Sequence, residues 1–178
     1  MWIAFPATVG EEYDRTVAQV LETVERAWRD LCDRTELAGV SAIALGVATV
    51  PYSLNYDRDL RPQLAALRTL VQALAVDAIV LRPDAECGRR ALERSVRGDP
   101  PTAHTRPIAD GLIVEHALEL ARRTSDAAGS VVFLSSNKED YFPGGGLAEP
   151  LRAEMEGAGL EFASTWDWAG RLLGLLTT

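Results

Sequence analysis

The chain has 178 residues, a length that suits one domain, residues 1–178, with a substantial hydrophobic core. It is 47% hydrophobic and 25% charged and has no long low-complexity tract, which argues against a disordered or fibrous protein. The net charge of −8 argues against nonspecific coating of nucleic acid, which needs a basic surface, but is compatible with an acidic pocket that meets phosphates through divalent cations.

The apolar stretches at 40–50 and 70–81 are too short or too interrupted to span a bilayer. The opening "MWIAFPATVGEEYDR" lacks the basic start of a signal peptide and turns acidic by Glu11. Cys32 and Cys87 stand in no metal-ligand spacing and make no disulfide framework, as suits thiols in a reducing compartment. Together these features predict a soluble cytoplasmic protein with no membrane partner.

Taken in chain order, "WIAFP" reads as a short strand or loop. From Thr8 or Gly10 to about Arg34, apolar residues from Val9 to Leu31 recur at three- and four-residue steps. That spacing predicts a long amphipathic helix with acids in its first turn. The small-residue run "ELAGVSAIALGVATV" is taken as helix, and Pro51, Tyr52, Ser53 and Asn55 mark a break. "DRDLRPQLAALRTLVQALA" is a helix with Pro62 in its first turn or at a kink, and "DAIVL" is a short strand or a helix end. "PDAECGRRALERSVRG" is a helix opened by Pro-Asp and closed by Gly98. After the loop "DPPTAHTRP", "IADGLIVEHALELARRTS" is a helix expected to bury Leu112, Ile113, Ala117, Leu120 and Ala121. "SVVFLSS" is a buried strand, followed by a helix from about Leu147 to Glu156, a strand in "GLEFAST" and a terminal helix in "WDWAGRLLGLL". Helices alternating with short apolar strands predict an α/β layer fold with a largely parallel sheet.

Three acidic places lie at element ends: Glu11 and Glu12, then Asp110, then Asn137 with Asp140 directly after the apolar run Val131–Leu134. In parallel α/β sheets, ligands collect beyond the carboxyl ends of strands, where loops and helix N-termini converge. Two acids plus an amide there are hard oxygen donors suited to Mg²⁺ or Mn²⁺. Taken singly, each residue has an ordinary explanation. Acids favour a first helical turn because of the helix dipole, and Asn and Asp are turn formers. Arg90, Arg94 and Arg97 fall on one side of their helix, where they either contact phosphates or pair with Glu86 and Glu93. His104 and His116 make no zinc site. "PGGGL" lacks the spacing of a nucleotide loop. The four tryptophans read most simply as core and rim anchors.

The stretch "RPIADGLIVEHALELARR…SVVFLSSNKEDYF" resembles the C-terminal half of PIN-like domains, a superfamily of metal-dependent ribonucleases. It is similar to the branch in which a helix begins with Asp and the following strand ends in an Asn-x-x-Asp-aromatic turn. "ALERSVRGDPPT" resembles that branch's Arg-bearing helix and Pro-containing loop, and "FPATVGEEYDR" resembles its Pro-x-x-Val-x-x-Glu helix opening, which puts the family acid at Glu12. The resemblance covers most of the chain and is most specific from 94 to 142.

It implies a PIN-like three-layer fold with a mostly parallel sheet and a helix-rich N-terminal half. Glu12, Asp110 and Asp140 would be the catalytic carboxylates holding Mg²⁺ or Mn²⁺, with Asn137 either ligating the metal directly or holding the turn. The metal would lower the pKa of a water and stabilise charge on the attacked phosphate. Arg90, Arg94 and Arg97 would bind RNA. The implied activity is endoribonucleolytic cleavage, toxin-like in character, with RNA as substrate and an antitoxin or regulatory protein or a second copy (a homodimer) as partner.

One feature departs from the family pattern. The family opens with a strand ending in Asp-x-Asn, whereas the first Asp here is Asp14, inside the helix. Either the natural start lies upstream of Met1 or the chain is a short form, and nothing in the spacing supports Asp167 as a substitute. A catalytically incomplete PIN-like module that binds RNA or protein is therefore the alternative. An unrelated α/β small-molecule-binding domain is the third reading.

Overall fold

The computed structural model describes residues 2–47, 54–102, 108–127, 129–142 and 146–175. The chain gathers into two compact units, one of residues 1–5 and 9–80, the other of 6–8 and 81–178. Helices alternate with short strands, so the protein is mixed α/β. No helix among the described residues is long and apolar enough to cross a membrane.

The first unit is dominated by helices. Strand β1 (Ala4–Pro6) leads into α1 (Ala7–Ala44), then a π-type turn (Tyr56–Leu60), α2 (Arg61–Asp77) and β2 (Ile79–Leu81). β1 and β2 form a two-stranded sheet, with the Ile79 N–H donating to the Ile3 carbonyl at 2.8 Å. Helix α1 starts earlier than the apolar periodicity suggests. Glu11 and Glu12 therefore sit beyond its first turn, where the helix dipole no longer favours them. It also runs on through the small-residue segment to Ala44, while residues 48–53 lie outside the described chain. Pro62 stands at the start of α2, where its missing N–H costs nothing. Asn55 caps the π-type turn by accepting from the Arg58 N–H at 3.0 Å. Tyr56 donates to Glu25 on α1 at 2.7 Å, tying that turn to the long helix.

The second unit contains α3 (Ala85–Arg97), α4 (Ile108–Thr124), β3 (Val131–Leu134), α5 (Lys138–Tyr141), α6 (Glu149–Ala158), β4 (Leu160–Ala163) and α7 (Trp166–Leu172). Asp84 caps α3 by accepting from the N–H groups of Glu86 and Cys87. These bonds hold its carboxyl below the usual aspartate range. Gly98 ends α3 at φ +71°, a left-handed conformation that glycine adopts without the Cβ clash. Strands β3 and β4 pair in parallel with Val131 opposite Leu160 and Phe133 opposite Phe162, as the predicted parallel pairing requires. β3 is half-buried along its length, not fully buried as its apolar run suggests, because it lies in a two-stranded sheet.

The core of this unit joins α4, α5, α6 and β4 through Val114, Leu118, Ala121, Tyr141, Leu151, Met155 and Phe162. The core-facing stripe of α4 differs from the expected one. Val114, Leu118 and Ala121 are buried, whereas Leu112, Ile113, Ala117 and Leu120 are half-buried. The reason is that α4 packs against α3 on one side and α6 on another, so its apolar arc is wide and its centre is decided by neighbours.

This geometry separates two leucines one would otherwise treat alike. Leu118→Ala should destabilise the second unit by about 2–5 kcal/mol, while Leu112→Ala should cost distinctly less. Urea unfolding followed by circular dichroism would check this, and equal losses would contradict the assigned face.

Candidate functional site

Asp110 lies in the first turn of α4 and is half-buried. Its position depends on the close approach of that turn to α3. A Cβ on Gly111 would lie 3.2 Å from the Thr102 methyl and 3.4 Å from the Ala91 carbonyl oxygen, so glycine lets the helices meet. The connecting loop is held to the end of α3 by side chains. The Thr102 hydroxyl lies 2.6 Å from the Asp99 carbonyl and 3.1 Å from that of Arg94. Arg94 Nη1 donates to the Pro100 carbonyl at 2.7 Å.

Arg94 is the centre of a buried ion-pair network. It is 6% exposed, and its guanidinium donates to Glu115 at 2.7 Å and to Glu154, joining α3, α4 and α6. Burial opposes the charge, but the bonds to Glu154 and Glu115 more than offset it, leaving the guanidinium pKa above its ordinary value. Arg90 donates to Glu115 at 2.8 Å and to Glu119 at 3.0 Å. Beside it, burial pushes the Cys87 thiol up, which favours the inert protonated form. Of the three arginines expected to face RNA, two are thus engaged within the fold. Arg97, with a side chain 68% exposed and 3.8 Å from Glu93, remains at the surface.

Asn137 and Asp140 close a turn directly after β3. Asn137 Nδ2 donates to Asp140 Oδ2 at 2.8 Å, and the Asn137 N–H donates to the Ser135 hydroxyl at 3.3 Å. Tyr141 anchors this turn in the core. It is 2% exposed, with ring centroids 5.6 Å from Phe133 and 5.7 Å from Phe162. Burial first, then the negative charges of Asp110 and Asp140, push its phenol well above the ordinary tyrosine range. The two predicted carboxylates therefore act on one buried phenol, although they come from elements some thirty residues apart.

Glu12 lies on α1 in the first unit, with its side chain 53% exposed and 3.9 Å from Arg15. Asp167 pairs with Arg171 at 3.0 Å, an ordinary one-turn contact on α7. His116 is buried with its ring nitrogens against the carbonyls of Leu112 and Arg82, at 2.8 and 3.2 Å, and so has a packing role. His104 and residues 143–145 of "PGGGL" lie outside the described chain. Among the described residues, no three His, Cys, Asp or Glu side chains gather closely enough to hold a metal ion.

Sequence reasoning missed Glu115, Glu119 and Glu154 as partners of the arginines. A signal was present, since Arg90 and Arg94 stand four apart on α3 while Glu115 and Glu119 stand four apart on α4. Two such rows on packed helices can meet as complementary ridges. No family model, curated protein or solved structure matches the chain.

Two consequences are measurable. Arg94→Met takes from the buried Glu115 carboxylate one of its two arginine partners, leaving it bonded to Arg90, and should cost about 1–3 kcal/mol in urea unfolding, whereas Arg97→Met should cost less than about 0.5 kcal/mol. For Tyr141, the fold favours the neutral phenol, so its contribution is fully present below the ordinary tyrosine pKa of about 10 and is lost as pH rises beyond it. At pH about 10.5, absorbance of the folded chain at about 295 nm should be the same in wild type and Tyr141→Phe. A smaller signal in the variant would mean that Tyr141 titrates normally.

Proposed function

We propose that the chain is a PIN-like, Mg²⁺- or Mn²⁺-dependent endoribonuclease of toxin-like character, with Asp110 and Asp140 of the second unit as its catalytic carboxylates. The observation that carries this reading is the Asn137–Asp140 turn at the end of β3, closed by a 2.8 Å hydrogen bond and seated on the buried Tyr141 ring, whose phenol also feels the charge of Asp110. Two carboxylates and an amide carbonyl are hard oxygen donors, so the residues present fit either ion. The three-layer PIN-like architecture enters on the sequence resemblance alone.

When bound, the ion supplies Lewis acidity that acidifies water and offsets phosphate charge. The chain's own residues would do the rest. Asp110 and Asp140 would bind and orient the ion, while Asn137 holds the Asp140 carboxylate in place. Tyr141 fixes the turn by packing against Phe133 and Phe162 and excludes water from beneath it. Arg97 is the arginine of the three best exposed to meet an RNA phosphate. An antitoxin or regulatory protein, or a second copy of the chain, fits this reading as a partner.

A second reading has its own support. The absence, among the described residues, of a three-member acidic or histidine group favours a PIN-like module that binds RNA or protein without cutting.

Incubation of mixed labelled RNAs with Mn²⁺, Mg²⁺ or EDTA separates the two. The nuclease reading expects metal-dependent cleavage, reduced more than about 100-fold by Asp110→Asn and by Asp140→Asn in variants that remain folded. A well-folded wild type that binds RNA without cleaving it would favour the second reading.

A further inference from the structure

In the second unit, an open groove of about 420 Å³ lies beside the Asn137–Asp140 turn and is lined by Phe142, Phe162, Trp168, Arg152, Glu156 and Glu161. Its size falls within the range of roughly 300–1,000 Å³ usual for small-molecule sites. Phe142 follows Asp140 by two residues and packs on Phe162 at 4.9 Å, so one wall of the groove is a close chain neighbour of the candidate site. Trp168 stands edge-on to Phe162 at 6.5 Å and is 40% exposed, which leaves part of its ring open to a flat ligand.

The polar groups in the lining narrow the choice. Arg152 donates to the Leu147 carbonyl at 3.2 Å and pairs with Glu149 at 3.1 Å. Glu156 and Glu161 are exposed, and among the described residues neither carboxylate has an ion-pair or hydrogen-bonding partner. The groove therefore offers aromatic surface, two free acceptor carboxylates and one guanidinium. Guanine is the RNA base that complements all three. It has a π-face, adjacent N1–H and N2–H donors suited to a carboxylate, and the O6/N7 acceptor pair that arginine reads. Adenine, cytosine and uracil each lack one of these edges. An organic cation would satisfy the carboxylates but would meet Arg152 in the same groove.

We propose that this groove is a guanine subsite that seats one base of a single-stranded RNA next to the Asp110–Asp140 site, a proposal that rests on the ribonuclease reading. Seating a base there would set the register of the strand, so cleavage would show a preference for a guanine at one fixed position.

The test uses nucleosides in EDTA, so it depends on neither metal nor catalysis. ¹⁵N-labelled full-length chain is titrated with guanosine, adenosine, cytidine and uridine while the tryptophan indole N–H signals are followed. The Trp168 signal, assigned by its loss in Trp168→Ala, should move with guanosine at a concentration at least tenfold lower than with the other three. Glu156→Gln with Glu161→Gln should weaken that response at least tenfold, and Trp166→Ala, outside the lining, should leave it unchanged. No shift, equal shifts for all four nucleosides, or indifference to the glutamate substitutions would overturn the proposal. So would capture of a basic, apolar peptide by a chain blind to guanosine, which would make the groove a protein-docking face. Guanosine selectivity without RNA cleavage would leave the subsite standing and sink the nuclease, while cleavage without guanosine binding would do the reverse.

Discussion

The second unit depends on one buried guanidinium. Arg94 reaches from α3 to Glu115 on α4, to Glu154 on α6 and to the carbonyl of Pro100, so three helices and the loop before α4 share a single charged centre. Removing a guanidinium from water is costly, and the cost is offset only when its N–H groups find well-placed acceptors. Here they do. Because Arg94 also sits one turn before the end of α3, the network fixes where the chain leaves that helix and hence where α4 begins. Asp110 inherits its position from that constraint, with Gly111 permitting the contact to Thr102 and Ala91.

Such a network is a poor source of net stability compared with an apolar core of the same volume. Its value lies in specificity of arrangement. Val114, Leu118, Met155 and Phe162 would pack acceptably with α4 turned a little either way, since hydrophobic contact is not directional. A charged fork that must meet carboxylates on two other helices does not tolerate that rotation. The half-buried state of Leu112 and Ile113, against expectation, is the visible result.

The same logic links the turn after β3 to its surroundings. Asn137 holds Asp140, and the next residue, Tyr141, puts its own ring into the core against Phe133 and Phe162. A polar turn is thereby fastened at both ends, by hydrogen bonds on the outside and by aromatic packing beneath. The aromatic cluster then continues through Phe142 to Trp168, where it meets solvent. Phe142, the residue after α5, thus carries the chain from the polar turn to the wall of the apolar groove.

Much of this order is legible in residue order alone. Local signals act over a few residues, so Asp84 and Gly98 bracketed α3 and the apolar runs gave β3 and β4 with their parallel pairing, while α2 begins at Arg61, with Pro62 in its first turn, and not at Asp57, where the π-type turn stands. Asp110 in a first turn and Asn137 beside Asp140 were readable for the same reason. The exact start of α1 at Ala7, rather than at Thr8 or Gly10, was not, because small residues such as Ala7 carry little periodicity, and that start leaves the acids expected in its first turn beyond it. Nor was the fate of the arginines. Their spacing on α3 shows that Arg90, Arg94 and Arg97 share a side, but whether that side meets solvent or another helix is a property of packing. Only the folded chain brings Glu115, Glu119 and Glu154 to two of them and leaves the third outside. Sequence spacing reports which residues share a face, whereas the partner of that face comes from contacts between residues far apart in the chain.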